Sequence, residues 1–294
     1  YHIGIKAMQL PIFKHISQAL SDYDLFLFDL WGVVVENEKL YPGVVESINS
    51  ILAQKQGLFV SNVPRPAFVM QEKLAKWGLN ATEEMIITSG DITRELITEE
   101  AIKLGKDKLT IYHLGSDQND DILRKLNHTI TEDYTKADVL LLTLYRDENQ
   151  NIREFDNLLK NVAKQPNLLK ICANPDISIP KGNIIRYCAG YFARIIEEHG
   201  GTVVYTGKPK EVIYQHIFKR SAGVVPKNRI LMIGDTFETD ILGAQKVGID
   251  SALVLTGNAH KYHSIYGSLD DKISVLGKKA KELKIFPTFI TELA

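Results

Sequence analysis

Leu25-Phe26-Leu27-Phe28-Asp29-Leu30-Trp31-Gly32-Val33-Val34 decides how the rest of the chain is read. A short apolar run ends abruptly in one carboxylate, Asp29. The pattern recurs at 58–60 before Ser61–Asn62, at 203–205 before Thr206-Gly207-Lys208, at 230–233 before Gly234–Asp235 and at 252–255 before Thr256–Gly257. Amphipathic stretches lie between these runs. Residues 42–52 carry Val45, Ile48, Ile51 and Leu52 at helical spacing, 66–77 carry Phe68, Met70, Leu74 and Trp77, and 240–247 carry Ile241, Leu242, Ala244 and Val247. Short apolar runs alternating with amphipathic helices predict an α/β protein built on a parallel sheet. In open parallel sheets ligands bind beyond the carboxyl ends of the strands, so the polar residues at those ends are the first candidates for chemistry.

The middle third reads as a unit of its own. Helices are expected at 92–104, 120–126 and 155–162, and strands at 109–113, 139–144 and 168–173. The expected organisation is a discontinuous core, 1–88 and 181–294, with a smaller α/β domain, 89–180, inserted into it.

Composition narrows the function. The 294 residues hold 35 basic and 36 acidic side chains, a formal net charge of −1 with no basic footprint for nucleic acid. The longest apolar runs, such as 139–142, are far too short to span a bilayer. The N-terminal residues lack the basic-then-apolar pattern of a secretory leader. Cys172 and Cys188 do not form a Cys-x-x-Cys pair, so two buried thiols in a reducing, cytoplasmic setting are expected.

A parallel sheet would bring Asp29, Ser61, Lys208, Asp235 and Asp240 to one edge. Taken singly, Asp29 is a cap or turn residue, Ser61–Asn62 a turn and Lys208 a surface lysine. Together they are an unusual set. Carboxylates gathered at one mouth repel one another, and a hard cation such as Mg²⁺ is their natural partner. A carboxylate can attack phosphorus to give an aspartyl-phosphate, while cations and hydroxyls hold the phosphoryl oxygens.

At this point the sequence resembles the haloacid dehalogenase (HAD) superfamily, whose four motifs fall in order on Asp29–Trp31, Ser61, Lys208 and Asp235/Asp240. The insertion resembles the family's C2-type cap. Cys172-Ala173-Asn174-Pro175-Asp176 is similar to the Thr-Asn-Pro-Asp segment of the class IIA branch, which includes phosphatases of sugar, nitrophenyl and pyridoxal phosphates. Ala189–Gly190 and Thr206-Gly207-Lys208-Pro209 extend the match. The resemblance implies a Rossmann-like core and hydrolysis of a small phosphorylated metabolite. It makes Asp29 nucleophile and metal ligand and gives phosphate binding to Ser61 and the Asn62 N–H. Lys208 would bridge nucleophile and phosphate. Mg²⁺ would be held by Asp29, Asp235 and the Trp31 backbone carbonyl, with Asp240 in support. Arg65, Asn174 and Asp176 are candidate substrate contacts, although Arg65 also suits a local ion pair and Asn-Pro-Asp an ordinary turn. Capped relatives are often homodimers. Asn37 stands at a turn where the family often has Gly. Asn tolerates the left-handed backbone, so a hairpin is still expected there.

One departure matters. The family's phosphatases carry a second Asp two residues after the nucleophile, as general acid and base. Here that residue is Trp31, and an indole N–H cannot shuttle a proton. General acid–base catalysis is worth about 10²–10⁴-fold. The enzyme would therefore act on activated phosphates, or take its proton from another group such as one in the cap. Otherwise it is a catalytically weak, phosphate-metabolite-binding or regulatory protein. A dehalogenase-type hydrolase, in which Asp attacks carbon without Mg²⁺, is opposed by the intact Gly234-Asp235…Asp240 pattern and by the position of the insertion. His260 and His263, three residues apart, lack further ligands nearby and are expected at the surface. His113 and His199 are read as packing or surface groups, and 278–284 as a solvated helix face.

Overall fold

The computed structural model describes residues 11–221 and 225–294. Its core is a seven-stranded sheet in the order Ile12–Phe13, Phe289–Thr291, Asp250–Val254, Ile230–Gly234, Leu25–Phe28, Gln56–Ser61 and Ile86–Thr88. Every neighbouring pair is parallel. The apolar run that opens the chain's reading is the central strand, with every residue buried. Phe26 and Phe28 face a cluster with Ile48, Ile51, Met70 and Leu74. Leu25 and Leu27 face the opposite cluster, with Ile213, Tyr214 and Ile217. Both faces are covered by helices, which is why this strand is apolar at every position rather than at alternate ones.

From the central strand the chain first moves outward through Gln56–Ser61 to Ile86–Thr88, and later returns to the opposite side as Ile230–Gly234. The strand order reverses between Leu25–Phe28 and Ile230–Gly234, and a crevice opens there at the carboxyl ends. Asp29 and Asp235 sit on its two sides.

The second domain holds a five-stranded parallel sheet in the order Val204–Tyr205, Leu169–Cys172, Val139–Leu142, Leu109–Leu114 and His128–Ile130. The helices Asp156–Ala163 and Ala189–Glu198 cover one face through Leu159, Val162, Phe192 and Ile196. Ile97, from the helix Ser89–Lys103, packs on the other. A small antiparallel sheet joins Arg146–Asp147, Ile184–Tyr187 and Ser178–Lys181. No helix among the described residues is long and apolar enough to cross a membrane.

Two expectations need correction. The strand at 203–205 does not join the core sheet, because Val204 and Tyr205 pair with Ile171 and Cys172. The preceding helix buries Phe192, Ala193 and Ile196 in the second domain, so the chain leaves that helix on the inserted side and can only extend the nearer sheet. The expected border at 180 cuts through the strand Ser178–Lys181, which pairs with Ile184–Tyr187 ahead of the helix Ala189–Glu198. Ile184–Tyr187 pairs within the small antiparallel sheet and Val204–Tyr205 within the five-stranded sheet, just ahead of Lys208.

The hairpin after Asp29 forms as expected. Val35–Glu36 pairs with Lys39–Leu40, and Asn37 (φ 48°) and Glu38 (φ 62°) both take left-handed backbone. Two consecutive positive φ angles are what a tight type I′ hairpin turn requires.

Candidate active site

Lys208 is the hub of the crevice. Its ammonium, only 1% exposed, donates to Asp29 Oδ1 at 2.9 Å, Asp240 Oδ1 at 2.7 Å and the Val60 carbonyl at 2.8 Å. All three ammonium protons are thereby used. The loop carrying Lys208 is clamped by Asn62, whose Oδ1 accepts the Lys208 N–H at 2.7 Å and whose Nδ2 donates to the Lys208 carbonyl at 2.9 Å. The same Nδ2 reaches Asp176 Oδ1 across the domain boundary at 2.9 Å. The Asn62 side chain thus ties the core to the cap, a role that the reading of its backbone N–H did not foresee. Ser61 is buried at the strand end, and its hydroxyl accepts the Val63 N–H at 3.2 Å.

Asp235 is oriented from two sides. Thr236 Oγ1 donates to Oδ1 at 3.0 Å and the Asn258 N–H to Oδ2 at 2.6 Å. Gly32, with φ +86°, lies so close that a Cβ there would come within 2.2 Å of Asp235 Oδ2, which fixes the need for glycine. Thr236 and Asn258 escaped the sequence reading. The signal for Asn258 was its place just past Thr256–Gly257, at another strand end on the same edge.

Asp240 lies in a π-helical turn, Phe237–Ile241, ahead of the helix Leu242–Val247. Such turns are frequent at functional sites. Its Oδ2 accepts the N–H groups of Asp235 and Thr236, both at 3.1 Å, while Oδ1 holds Lys208. It therefore shapes the loop before the helix. With both oxygens so engaged, it suits a supporting role better than direct ligation.

Asp29, Asp235 and Asp240 place carboxylate oxygens within 4.8 Å of one another. Burial first, and then the neighbouring carboxylates, hold Asp235 well above the usual carboxylate range and push Asp29 in the same direction. One lysine partly offsets three carboxylates, and it touches only Asp29 and Asp240. A hard divalent cation between Asp29 and Asp235 would relieve the remaining repulsion, so this oxygen-rich donor set fits Mg²⁺.

Trp31 lines the cleft and is partly buried against the core. Its ring meets Trp77 edge-on, with centroids 5.8 Å apart and planes at 77°. Lys73 Nζ lies 5.3 Å from the Trp31 ring and 5.6 Å from that of Trp77, and pairs with Glu38 at 3.3 Å. An aromatic and cationic cluster therefore occupies the position of the missing acid.

The cleft between the domains encloses about 230 Å³. Arg65, Asn174 and Asp176 all line it. Arg65 is also ion-paired, with Nε at 2.9 Å and Nη2 at 2.5 Å from Asp121 Oδ2 on the cap. Asn174 Oδ1 accepts the Asp176 N–H at 3.2 Å, the turn that Asn-Pro-Asp predicts. The reading missed Arg186, which brings a guanidinium to the cleft over the Tyr145 ring at 4.2 Å and is held by Asp147 at 2.7 Å. Nothing local in the sequence marks it.

Of the remaining candidates, Cys188 lines the cleft and the others do not. His263 is buried, against the surface position expected, and its Nε2 meets the Leu255 carbonyl at 2.6 Å. His113 pairs with Thr143 Oγ1 at 2.8 Å. Cys172 and Cys188 are free and buried.

A Rossmann-like core with an inserted cap, and a carboxylate–lysine cluster at the switch point of the core sheet, define a class of capped hydrolases. The family of haloacid dehalogenase-like hydrolases matches residues 23–248, and the chain belongs to it. The acid sugar phosphatase of Staphylococcus haemolyticus is 27% identical over 245 residues, covering 81% of this chain and 87% of that one. A possible sugar phosphatase of Cytophaga hutchinsonii superposes with a TM-score of 0.76 at 28% identity, covering 97% of this chain and 98% of that one. The 4-nitrophenylphosphatase of Thermotoga maritima superposes with a TM-score of 0.67 at 25% identity, covering 92% and 95%.

Proposed function

We propose that the protein is a Mg²⁺-dependent phosphatase of small phosphorylated metabolites, working through an aspartyl-phosphate on Asp29. The observation that carries this reading is the contact of Lys208 with Asp29 and Asp240 beside Asp235, at the crevice where strand order reverses. Asp29 attacks phosphorus from the core edge. Lys208 holds the attacking carboxylate and neutralises the incoming phosphoryl oxygens. Ser61 and the Asn62 N–H receive the same oxygens. Asp29, Asp235 and the Trp31 carbonyl would hold Mg²⁺, which when bound neutralises phosphoryl charge and orients the ester. Asp240 keeps Lys208 and the Asp235 loop in place. The sugar phosphatases among the relatives support sugar phosphates as the substrate class.

The domain division that goes with this reading is a core of 11–88 and 206–294, capped by 89–205. The cap closes over the crevice and excludes water from the aspartyl-phosphate. The free, buried cysteines support a reducing, cytoplasmic setting.

Trp31 favours a second reading, a phosphate-metabolite-binding protein with weak turnover, because no carboxylate stands at that position. One assay separates the two. Purified protein with Mg²⁺ is given a panel of sugar phosphates and p-nitrophenyl phosphate, with Asp29→Asn as control. Turnover that needs both Mg²⁺ and Asp29, with phosphate trapped covalently on Asp29, is the expected result. Tight binding of sugar phosphates without turnover above the Asp29→Asn background would replace the phosphatase with the binding protein.

A further inference from the structure

The phosphatase reading leaves one chemical demand unmet: a proton for the leaving oxygen. The cleft holds few groups able to supply it. Asp29 and Asp235 are committed to attack and to the metal. Arg65 and Arg186 do not release protons near neutrality, and both are held by cap carboxylates, Asp121 and Asp147. Lys73 and Glu38 are paired with each other, and the Glu38 side chain is 72% exposed. Burial pushes the Cys188 thiol well up, making it a very weak acid. Tyr145 makes no side-chain hydrogen bond to Asp29, Asn62 or Lys208. Asp176 remains.

Resting on that reading, we propose that Asp176, carried by the cap, is the general acid and base that this enzyme uses in place of the carboxylate lost at Trp31. Three features of its setting support the assignment. Asp176 lines the cleft with Asp29 and Trp31, on the cap side, toward which the leaving group of an in-line attack by Asp29 must depart. Its Oδ1 accepts from Asn62, so its place is fixed relative to the loop that holds Lys208, while no hydrogen-bond partner engages Oδ2 among the described residues. Its backbone is locked as well. The Gly190 N–H donates to the Asp176 carbonyl at 3.1 Å, and a Cβ on Gly190 would come within 2.2 Å of the Pro175 carbonyl oxygen.

The charged and titratable groups facing Asp176 are Lys208, Asp240 and Asp29 from the core and Cys172 and Cys188 from the cap. Burial outweighs the Asn62 hydrogen bond and the Lys208 charge, and holds the carboxyl above the usual carboxylate range. A protonated carboxyl is the form that a leaving alkoxide needs.

The cycle balances. As an Asp29 oxygen bonds to phosphorus, the bond from phosphorus to the leaving oxygen breaks. That oxygen keeps the electron pair and takes the Asp176 proton, so an alcohol departs. Water then enters from the same side. Asp176 takes one of its protons while the oxygen attacks phosphorus, and the bond from phosphorus to Asp29 breaks. Inorganic phosphate leaves, and both aspartates return to their starting forms.

The test uses Asp176→Asn, which keeps an oxygen for Asn62 and removes only the acid. Rapid-mixing kinetics with Mg²⁺ compare glucose 6-phosphate, an alkyl ester, with p-nitrophenyl phosphate, whose leaving group needs no proton. The expected result is a loss of about 10²–10⁴-fold on the alkyl ester. The aryl ester should still give a fast burst of nitrophenolate, followed by slow turnover as phosphoenzyme accumulates. Trp31→Asp added to Asp176→Asn should restore alkyl turnover, which repair of a merely structural defect would not do. An equal loss on both esters from the burst onward, or no loss on either, overturns the assignment while the phosphatase reading stands. Wild-type protein without Asp29-dependent turnover of either ester overturns both.

Discussion

The Asn62 side chain grips both backbone polar atoms of Lys208, accepting its N–H at 2.7 Å and donating to its carbonyl at 2.9 Å. The position of the Lys208 ammonium is therefore set by a residue from a different strand end. Asn62→Ala leaves a buried N–H and a buried carbonyl without partners, each at a cost of about 1–3 kcal/mol. We expect kcat to fall by roughly 10–100-fold with a smaller change in KM, because Lys208 would be misplaced rather than lost. Steady-state kinetics on p-nitrophenyl phosphate check this.

Among the described residues, Lys208 is the one cation that touches Asp29 and Asp240. Lys208→Met should abolish turnover and destabilise the fold by about 3–5 kcal/mol, since it leaves buried carboxylates uncompensated. Urea unfolding of the two proteins in chelator measures the loss. An unchanged midpoint would contradict the contacts described.

The crowding of Asp29, Asp235 and Asp240 makes the fold sensitive to divalent ions. At Mg²⁺ about 100-fold above its Kd the folded state should gain about 2.7 kcal/mol, read as a rise in Tm. Asp235→Asn should remove most of that rise. It should also raise the Tm without Mg²⁺, because it relieves repulsion that is otherwise uncompensated.

His113 gives a pH signature separate from the carboxylate cluster. Burial, its largest influence, lowers its pKa from 6.5 to about 4. The folded protein thus binds its proton less readily than the unfolded chain. The stability this gives is full above pH 6.5, declines as pH falls and is gone below about pH 4. The total is about 3 kcal/mol. His113→Asn should flatten the decline in urea midpoint across that window, and an unaltered slope would count against burial of the neutral ring.

Trp31→Asp alone tests the departure from the family pattern. It removes the edge-on contact with Trp77 and the cation–π contact with Lys73, so the Tm should fall. Turnover of alkyl phosphates should nonetheless rise, because a carboxyl two residues after Asp29 joins Asp176 as a proton donor. A fall in alkyl turnover would mean that the pocket depends on the indole.

Local sequence fixed more of the core than of the cleft. The run 25–28 is apolar throughout because helices cover both faces of its strand, and the carboxylate that follows marks the sheet edge. Such signals span four to six residues, so Asp29, Ser61 and Asp235 were legible at their strand ends. Asn37 was legible too, because its left-handed backbone is a local property. The edge strand Ile12–Phe13 and its neighbour Phe289–Thr291 were not, being short and defined by partners distant in sequence. Nor was the sheet to which Val204–Tyr205 belongs, since its choice follows from where the preceding helix buries Phe192 and Ile196. Only the tertiary structure brought Asp176 to Asn62, 114 residues earlier, and Arg186 to the mouth of the cleft. The chemistry at the ends of strands is written in the chain because the strands themselves are local. The walls of the cleft come from two domains packing together, and no local pattern encodes which side chains that packing will make neighbours.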